Sequence, residues 1–180
     1  AIELDSNFIA AKVMINMINP KQNDIEYYKF LLSQAEEVGD ILGIGHTLLL
    51  LSKYYFENNN FEESLENSHR AIKLLEKIDD NFGLGLALEN IAYIYRYKGD
   101  YYNAIETFLE SYNQLIEIGE KGLATRMLHH IGSIYKTTGE LDKALEYKIK
   151  ALDNNQEMNF EFGISYFESE VGIVYFDKRD

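Results

Sequence analysis

The sequence contains no cysteine and only one proline, Pro20, among its 180 residues. Without cysteine the chain forms no disulfide and offers neither a thiolate nucleophile nor a cysteine-ligated zinc site. The same absence fits a reducing compartment, so we expect a cytoplasmic protein. Because proline interrupts helices, a chain whose one proline lies near its start can form long helices after it.

Basic residues are few: the sequence has 17 lysines and arginines but 30 aspartates and glutamates, which gives a net charge of −13. Nucleic acids and anionic membranes are bound by basic surfaces. The sequence therefore predicts binding to neither. Long apolar segments are also lacking: the run Leu48–Leu51 ends at Ser52, far short of the roughly 20 apolar residues of a membrane span.

An internal repeat dominates what is present. Tyrosines recur at a constant interval of 40 residues, at Tyr55, Tyr95, Tyr135 and Tyr175. A small residue precedes each tyrosine by three positions, namely Ser52, Ala92, Gly132 and Gly172. Further small residues follow in the same register, at Ser64, Ala104 and Ala144 and again at Ala71, Ser111 and Ala151. Similarity at a fixed period of this length predicts a stack of repeated supersecondary units.

Each repeat is predicted to contain two amphipathic helices. In the second repeat, apolar residues at three- and four-residue steps form one stripe, comprising Leu84, Leu88, Ile91, Ala92 and Tyr95. Gly99 then ends this helix, because glycine tolerates the left-handed conformation found after helices. The second stripe comprises Ile105, Phe108, Leu109, Tyr112, Leu115 and Ile116. Small residues at the contact allow the paired helices to approach closely, and we expect the repeat tyrosines to lie in the core.

This pattern of a small residue, tyrosine, Gly-Asp, an aromatic residue and alanine resembles the tetratricopeptide repeat. In the second repeat it reads Ala92, Tyr95, Gly99-Asp100, Tyr101 and Ala104, and in the third repeat Lys148 replaces the family's aromatic residue. The resemblance implies an all-α fold, a right-handed superhelix of stacked antiparallel helical hairpins. The 40-residue interval is similar to the long repeats of kinesin light chains, of the spindle-orientation protein LGN and of bacterial signalling proteins.

We divide the chain into five segments of a single solenoid domain. Residues 1–39 are predicted to form a degenerate hairpin, with a stripe through Ile9, Val13, Met14 and Met17 and a second helix over Ile25–Val38. Residues 40–79, 80–119 and 120–159 are three full repeats, and residues 160–180 are the first helix of a truncated fourth. Because the chain starts without methionine and this last helix lacks its pair, we expect the natural protein to be longer.

Catalytic motifs are weak. Gly43-Ile44-Gly45 lacks the third glycine and the preceding strand of a dinucleotide-binding fingerprint. His129 and His130 are adjacent, so on a helix they point about 100° apart and do not suit one metal ion. We therefore predict no catalytic residue, no cofactor and no metal site, and we do not expect an enzyme.

The concave groove is the remaining candidate site, since the resemblance implies that the first helix of each hairpin lines it. The residues at these positions are basic, amide-bearing or aromatic: Lys53, Asn90, Tyr93, Arg96, Tyr97, Arg126, His129, His130 and Lys136. Such groups suit a peptide that carries carboxylates. A merely solvated inner face is the alternative, since any solenoid has such a face. Glu170 and Asp177 occupy the matching face of the last helix and weaken the charge argument.

We therefore predict a protein- or peptide-binding scaffold, the interaction or sensory-regulatory part of a longer bacterial signalling protein. The alternative function is a receptor for a short signalling peptide, similar to the pheromone receptors, bound in the same groove. The predicted partner is a protein or peptide of acidic character. The open ends of a solenoid also leave room for a homo-oligomer.

Overall fold

The computed structural model of the chain describes residues 12–13 and 25–179. Within these residues the chain is helical and contains no strand, so the predicted all-α fold class is confirmed. Of the stripe predicted in the first hairpin, Ile9, Met14 and Met17 lie outside the described residues. The helices are α1 Ile25–Val38, α2 Ile41–Glu57, α3 Phe61–Leu75 with a 3-10 turn at Glu76–Ile78, α4 Asn81–Tyr97, α5 Tyr101–Glu117, α6 Lys121–Thr137, α7 Leu141–Glu157 and α8 Glu161–Asp177.

The connections between helices repeat every 20 residues, which is half of the sequence period. Each contains one residue with positive φ, a conformation that glycine adopts readily and that Asn and Asp tolerate better than other residues. These residues are Gly39, Asn59, Asp79, Gly99, Gly119, Gly139 and Asn159. The 40-residue repeat is thus two helices of nearly equal length, and the first helices begin at Ile41, Asn81 and Lys121.

The segment Gly99-Asp100 shows how one short connection ends a helix and starts another. The Gly99 N–H donates to the Arg96 carbonyl oxygen at 3.1 Å, and the Asp100 N–H donates to the Tyr95 carbonyl oxygen at 2.9 Å. This pair of bonds satisfies carbonyl groups at the end of α4. The Asp100 carboxylate then accepts from the Asn103 N–H at 3.3 Å and caps α5.

The chain divides into two compact units, Ala1–Ile94 and Tyr95–Asp180, with the boundary inside α4. In the first unit, α2 and α3 meet through serines: Ser52 Oγ lies 3.1 Å from Ser64 Oγ and 2.6 Å from Ser68 Oγ. All three serines are buried. Their small side chains let the helices approach, and their mutual hydrogen bonds satisfy the buried hydroxyl groups.

A second polar contact in this unit joins α2 to the start of α4. His46 Nε2 lies 2.6 Å from Asp80 Oδ2, and Asp80 also accepts a hydrogen bond from the Gly83 N–H. Burial raises the pKa of Asp80, but the hydrogen bond with His46 and the one from Gly83 outweigh burial, and the pKa lies below its usual value. His46 is buried and therefore structural.

In the second unit, residues that lie later in α6 contact residues that lie earlier in α7. Asn154 donates to Thr125 Oγ1 at 3.1 Å, Lys148 donates to Ser133 Oγ at 3.1 Å, and the ring centroids of Tyr135 and Tyr147 lie 5.6 Å apart. The hairpin is therefore antiparallel. The repeat tyrosines are only half-buried, and Tyr175 is 52% exposed, so our placement of these side chains in the core was wrong.

Gly132 and Gly172 occupy the same place in successive repeats but have different surroundings. A Cβ on Gly132 would lie 3.3 Å from the Ala144 carbonyl oxygen and 3.2 Å from Lys148 Cγ, whereas a Cβ on Gly172 would meet nothing within 4 Å. Replacing Gly132 by leucine should therefore overpack the α6–α7 contact and destabilise the protein by about 1 to 3 kcal/mol. Thermal unfolding of Gly132→Leu and Gly172→Leu measures the difference. A Gly172→Leu melting temperature as low as that of Gly132→Leu would contradict the packing.

Candidate functional site

Helix α6 carries most of the predicted site residues in the second unit. Arg126 is exposed, while His129, His130 and Lys136 are half-buried. They lie on turns of one 17-residue helix, so the backbone fixes their spacing. Arg96 and Tyr97, at the end of α4, belong to the same unit. Tyr97 is 65% exposed.

His130 links α6 to the neighbouring helices of this unit. Its ring stacks on Phe108 of α5 at a centroid distance of 5.2 Å. Arg96 Nη1 lies 3.4 Å from His130 Nδ1, which accepts this long hydrogen bond. The structure thus brings Arg96 and His130 together. Because the guanidinium can only donate, Nδ1 of His130 must be unprotonated to accept this hydrogen bond.

His129 points toward α7 and α8. Its ring lies 5.6 Å from that of Tyr166 and 5.7 Å from that of Phe167. Lys148 Nζ lies 3.4 Å from His129 Nδ1 and donates to it. His129 is therefore enclosed by aromatic rings on one side and a cation on the other.

Both histidines have strongly lowered pKa values. Burial, reinforced by the charge of Lys148, lowers the pKa of His129 to about 4, although Glu170 opposes this. Burial, reinforced by His129 and Arg96, lowers the pKa of His130 to about 3. At pH 7 both rings are neutral, so they supply hydrogen-bonding and stacking surface to the site instead of charge.

Lys148 of α7 lies at the position where the preceding repeat has Phe108, and it is buried like that phenylalanine. Its ammonium group forms an ion pair with Glu170 of α8 and donates to Ser133 Oγ at 3.1 Å. Burial lowers the pKa of Lys148, while Glu170 opposes that shift. The substitution thus places an internal ion pair where an aromatic ring would pack, and Glu170 neutralises its charge.

Lys136 is also matched by an acid. Its Nζ lies 3.0 Å from Asp177 Oδ2 on α8. Glu170 and Asp177 therefore compensate two of the cations on this face. Arg126 lies at the other end of α6, beside a pocket.

That pocket has a volume of about 260 Å³ and lies between the first turns of α6 and α8. Four aromatic residues line the pocket. Among the described lining residues, Arg126 is the one with a charged side chain, and none is Asp or Glu. At the pocket wall, a Cβ on Gly163 would lie 2.0 Å from Asn155 Oδ1, so a larger residue there would have to displace the Asn155 side chain. The lining residues are Gly122, Thr125, Arg126, His129, Asn155, Met158, Phe160, Phe162, Gly163, Tyr166 and Phe167.

The remaining predicted residues belong to the first unit. Lys53 is exposed and lies 4.0 Å from Glu57 on the next turn. Asn90 donates to Ser52 Oγ at 3.4 Å, and the Tyr93 ring lies 6.0 Å from that of Phe56. These residues occupy α2 and α4 and form a polar and aromatic surface of the first unit.

The sequence pattern missed most of the pocket for an identifiable reason. The predicted groove residues of α6 begin at Arg126, whereas the helix begins at Lys121, so Gly122 in its first turn was left out. Phe162 and Gly163 at the start of α8 were left out as well. The cluster of aromatic residues Phe160, Phe162, Tyr166 and Phe167 was the available signal.

Two kinds of site find no support within residues 12–13 and 25–179. No group of three or more His, Asp or Glu side chains there could hold a metal ion. Across that same part of the chain, every helix is too short or too polar to span a bilayer.

Comparison with known families identifies the repeats. The profile of the tetratricopeptide repeat family matches residues 84–157. This match confirms the resemblance drawn from Ala92, Tyr95 and Gly99, and the structural comparisons below agree with it. A comparison with curated proteins finds no significant match.

Solved structures share the fold at low identity. A Signal Transduction ATPase with Numerous Domains from Pyrococcus horikoshii, which has a tetratricopeptide repeat sensor, superposes with a TM-score of 0.80 at 20% identity over 98% of this chain and 27% of its own. Aspartyl phosphate phosphatase F from Bacillus subtilis gives 0.73 at 16% identity over 94% and 45%. The TPR-like repeats of a kinesin-light-chain-like protein from Podosopora anserina give 0.61 at 12% identity over 94% and 84%. The chain thus spans about a quarter of the Pyrococcus protein.

Because His129 and His130 are neutral in the folded chain, we expect the free energy of unfolding to fall on acidification. The unfolded chain binds protons at ordinary histidine pKa values near 6.5, while folded His130 resists protonation down to about 3, so stability falls as the pH drops below 6.5. Between pH 7 and pH 5 this residue should cost about 2 kcal/mol. His130→Phe keeps the stacking on Phe108 and should reduce the fall in melting temperature by about 4 °C or more. His69→Gln, which removes an exposed histidine of α3, is the control; an unchanged pH profile of His130→Phe would contradict the assignment.

Proposed function

We propose that this chain, which carries tetratricopeptide repeats over residues 84–157, binds a protein or peptide partner as the interaction or sensory-regulatory part of a longer bacterial signalling protein. Tetratricopeptide repeats are protein-interaction scaffolds, and the family match supports this general class of function. The role in a signalling protein is our inference. Its main support is the α6 surface around Arg126, where an exposed cation adjoins an aromatic pocket.

The electrostatics of that surface favour an acidic ligand. Arg126 is exposed and lies at the edge of a pocket that has no Asp or Glu among its described lining residues. A guanidinium can bind a carboxylate through two parallel hydrogen bonds, which fixes the orientation of the ligand. We therefore assign recognition of a carboxylate to Arg126. His129, neutral at pH 7, offers a ring surface next to it.

The relatives support a regulatory setting. The Pyrococcus protein combines a tetratricopeptide repeat sensor with a signal-transduction ATPase, and our chain aligns with about a quarter of it. By this likeness we propose that the present repeats sense a partner and pass the binding event to another part of a longer protein. The likeness is one of fold, so the partner must be argued from the residues of this chain.

A receptor for a short signalling peptide is the second candidate. The size of the pocket favours it, because about 260 Å³ lies just below the usual range for small-molecule sites and suits one large side chain. A peptide of a few residues could anchor such a side chain and place a carboxylate on Arg126. Both candidates use the same surface and differ in whether the ligand is free or part of a protein.

We propose no catalytic role for the described residues. The Ser133 hydroxyl donates to the His129 carbonyl oxygen at 2.8 Å and accepts from Lys148, so both of its interactions are structural. Lys148 in turn is held by Glu170. We also propose a cytoplasmic location.

Charge reversal on α6 tests the proposal. Arg126→Glu should weaken binding of an acidic peptide at least tenfold, because it replaces attraction with repulsion at the point of contact. Isothermal titration or fluorescence anisotropy, with peptides selected by display against the wild-type chain, measures the effect. Raising the salt concentration should also weaken binding by the wild type.

Lys73→Glu is the matched control, since it changes net charge equally on the exposed surface of the second helix α3. The net charge of −13 repels acidic ligands in general, so a control of equal charge is needed. If Lys73→Glu weakens binding as much as Arg126→Glu does, the ligand does not bind at α6.

A further inference from the structure

We infer that the pocket between α6 and α8 binds a small, planar, uncharged aromatic molecule, which accepts a hydrogen bond from the Nε2–H group of His129. This ligand goes beyond the proposed function, because its binding needs neither a peptide partner nor the charge of Arg126. The lining residues come from α6, the end of α7 and the start of α8, which all belong to one compact unit.

Aromatic rings at several angles form the wall of the pocket. The planes of Tyr166 and Phe167 are nearly perpendicular, with centroids 5.1 Å apart, and the Phe160 and Phe162 rings lie 6.2 Å apart with an angle of 54° between their planes. The His129 ring lies at 52° to Tyr166 and at 75° to Phe167. A flat aromatic ligand therefore meets both ring faces and ring edges, and aromatic pairs prefer offset-stacked or edge-to-face contacts.

The volume of the pocket suits a ligand of one or two rings. An apolar cavity of about 150 Å³ accommodates benzene. At about 260 Å³ the present pocket is larger than that, yet it lies below the usual range for drug-sized ligands. Gly122 and Gly163 contribute to this space, because neither has a side chain that would fill it.

Lys148 determines which ring nitrogen of His129 carries the proton. Its ammonium group can only donate, and Nζ lies 3.4 Å from Nδ1 of His129, so Nδ1 accepts. Burial lowers the pKa of His129 to about 4, so the ring is neutral at pH 7 and its single proton is on Nε2. The ion pair with Glu170 favours the charged form of Lys148 and so maintains this arrangement.

The Nε2–H group gives the aromatic pocket a hydrogen-bond donor. Within residues 12–13 and 25–179, the contact with Lys148 is the hydrogen bond that the His129 ring forms. The ring is half-buried and lines the pocket, whereas Lys148 does not line it. The Nδ1 edge is thus turned toward Lys148, and Nε2–H is left for a ligand. An aromatic ligand with an acceptor atom satisfies this donor, which a purely apolar molecule would leave without a partner.

The charges around the pocket favour an uncharged ligand. Since none of the described lining residues is Asp or Glu, a ligand amine would have no counter-ion there. An anionic ligand would be repelled by the net charge of −13 of the chain as a whole. The acceptor of the ligand is therefore a neutral ring nitrogen or a carbonyl oxygen.

Two pairs of soluble probes test the ligand at pH 7, with binding to the whole ¹⁵N-labelled chain followed by NMR titration. Quinoline and indole are both flat and have two rings, but quinoline carries an acceptor nitrogen and indole a donor N–H. Quinoline should bind about threefold or more tightly than indole, because it gains the hydrogen bond from His129. Benzamide should likewise bind more tightly than cyclohexanecarboxamide, which has the same acceptor group without the aromatic ring.

Variants of the protein locate the site. His129→Phe keeps an aromatic ring and removes the donor, so it should abolish the preference for quinoline over indole. His69→Phe, at an exposed residue of α3, is the control and should retain the preference. Gly122→Leu should fill part of the pocket, because a Cβ there meets nothing within 4 Å, and should weaken quinoline binding about fivefold or more. Gly172→Leu, whose surroundings are equally open and lie outside the pocket, should not weaken it.

The ring nitrogens of His129 should appear in ¹⁵N spectra as an unprotonated Nδ1 and a protonated Nε2. A proton on Nδ1, or equal affinities for quinoline and indole, would overturn the role of His129 as donor. If Gly122→Leu binds quinoline as tightly as wild type, the ligand does not occupy this pocket.

The outcomes also separate this inference from the proposed function. If no probe binds, while an acidic peptide binds and depends on Arg126, the small-molecule site is wrong and the proposed function stands. If quinoline binds with the expected dependence on His129 and Gly122 but no peptide of any composition binds, the small-molecule site stands and the proposed function is wrong.

Discussion

The other features depend on one constraint, the close approach of paired helices, α2 with α3 in the first unit and α6 with α7 in the second. At Ser52, Ser64 and Ser68 the hydroxyl groups of α2 and α3 are within hydrogen-bond distance of each other. At Gly132 even a single added carbon would press on the Ala144 carbonyl oxygen. Larger side chains cannot enter such contacts without moving the backbone. The small residues therefore fix how each hairpin packs, and the other faces of the first helices are left to form sites.

Within that frame, Lys148 changes the chemistry of the second unit. A phenylalanine at the equivalent position, Phe108, stacks on His130, whereas Lys148 binds Glu170 and approaches His129. The buried cation and the surrounding apolar groups keep the histidines neutral, and the acids of α8 compensate the nearby lysines. In our proposal, Arg126, next to the aromatic pocket, takes part in recognising the ligand.

The sequence predicted the repeat and the helix ends better than the site. Periodic small residues mark close helix contacts, and Gly99 marks a turn with positive φ. Both features can be recognised from residue types alone. Asn59, Asp79 and Asn159 adopt the same positive-φ conformation as Gly99 although they are not glycine. The 20-residue interval between turns was therefore less evident in the sequence. Pairing of Lys136 with Asp177 depends on which helices pack together, as does the gathering of Phe160 and Phe167 around one cavity. Side-chain partners across helices cannot be read from spacing along one helix.

Photo-crosslinking maps the bound ligand most directly. A peptide selected by display against the chain would carry benzoylphenylalanine at one position, and mass spectrometry would locate the crosslinked residues of the chain. We expect crosslinks to the pocket residues of α6 and α8, at or near Arg126, Phe162 and Tyr166, and we expect an excess of unlabelled peptide to remove them. Competed crosslinks confined to the exposed faces of α3, α5 or α7 would contradict binding at the first helices.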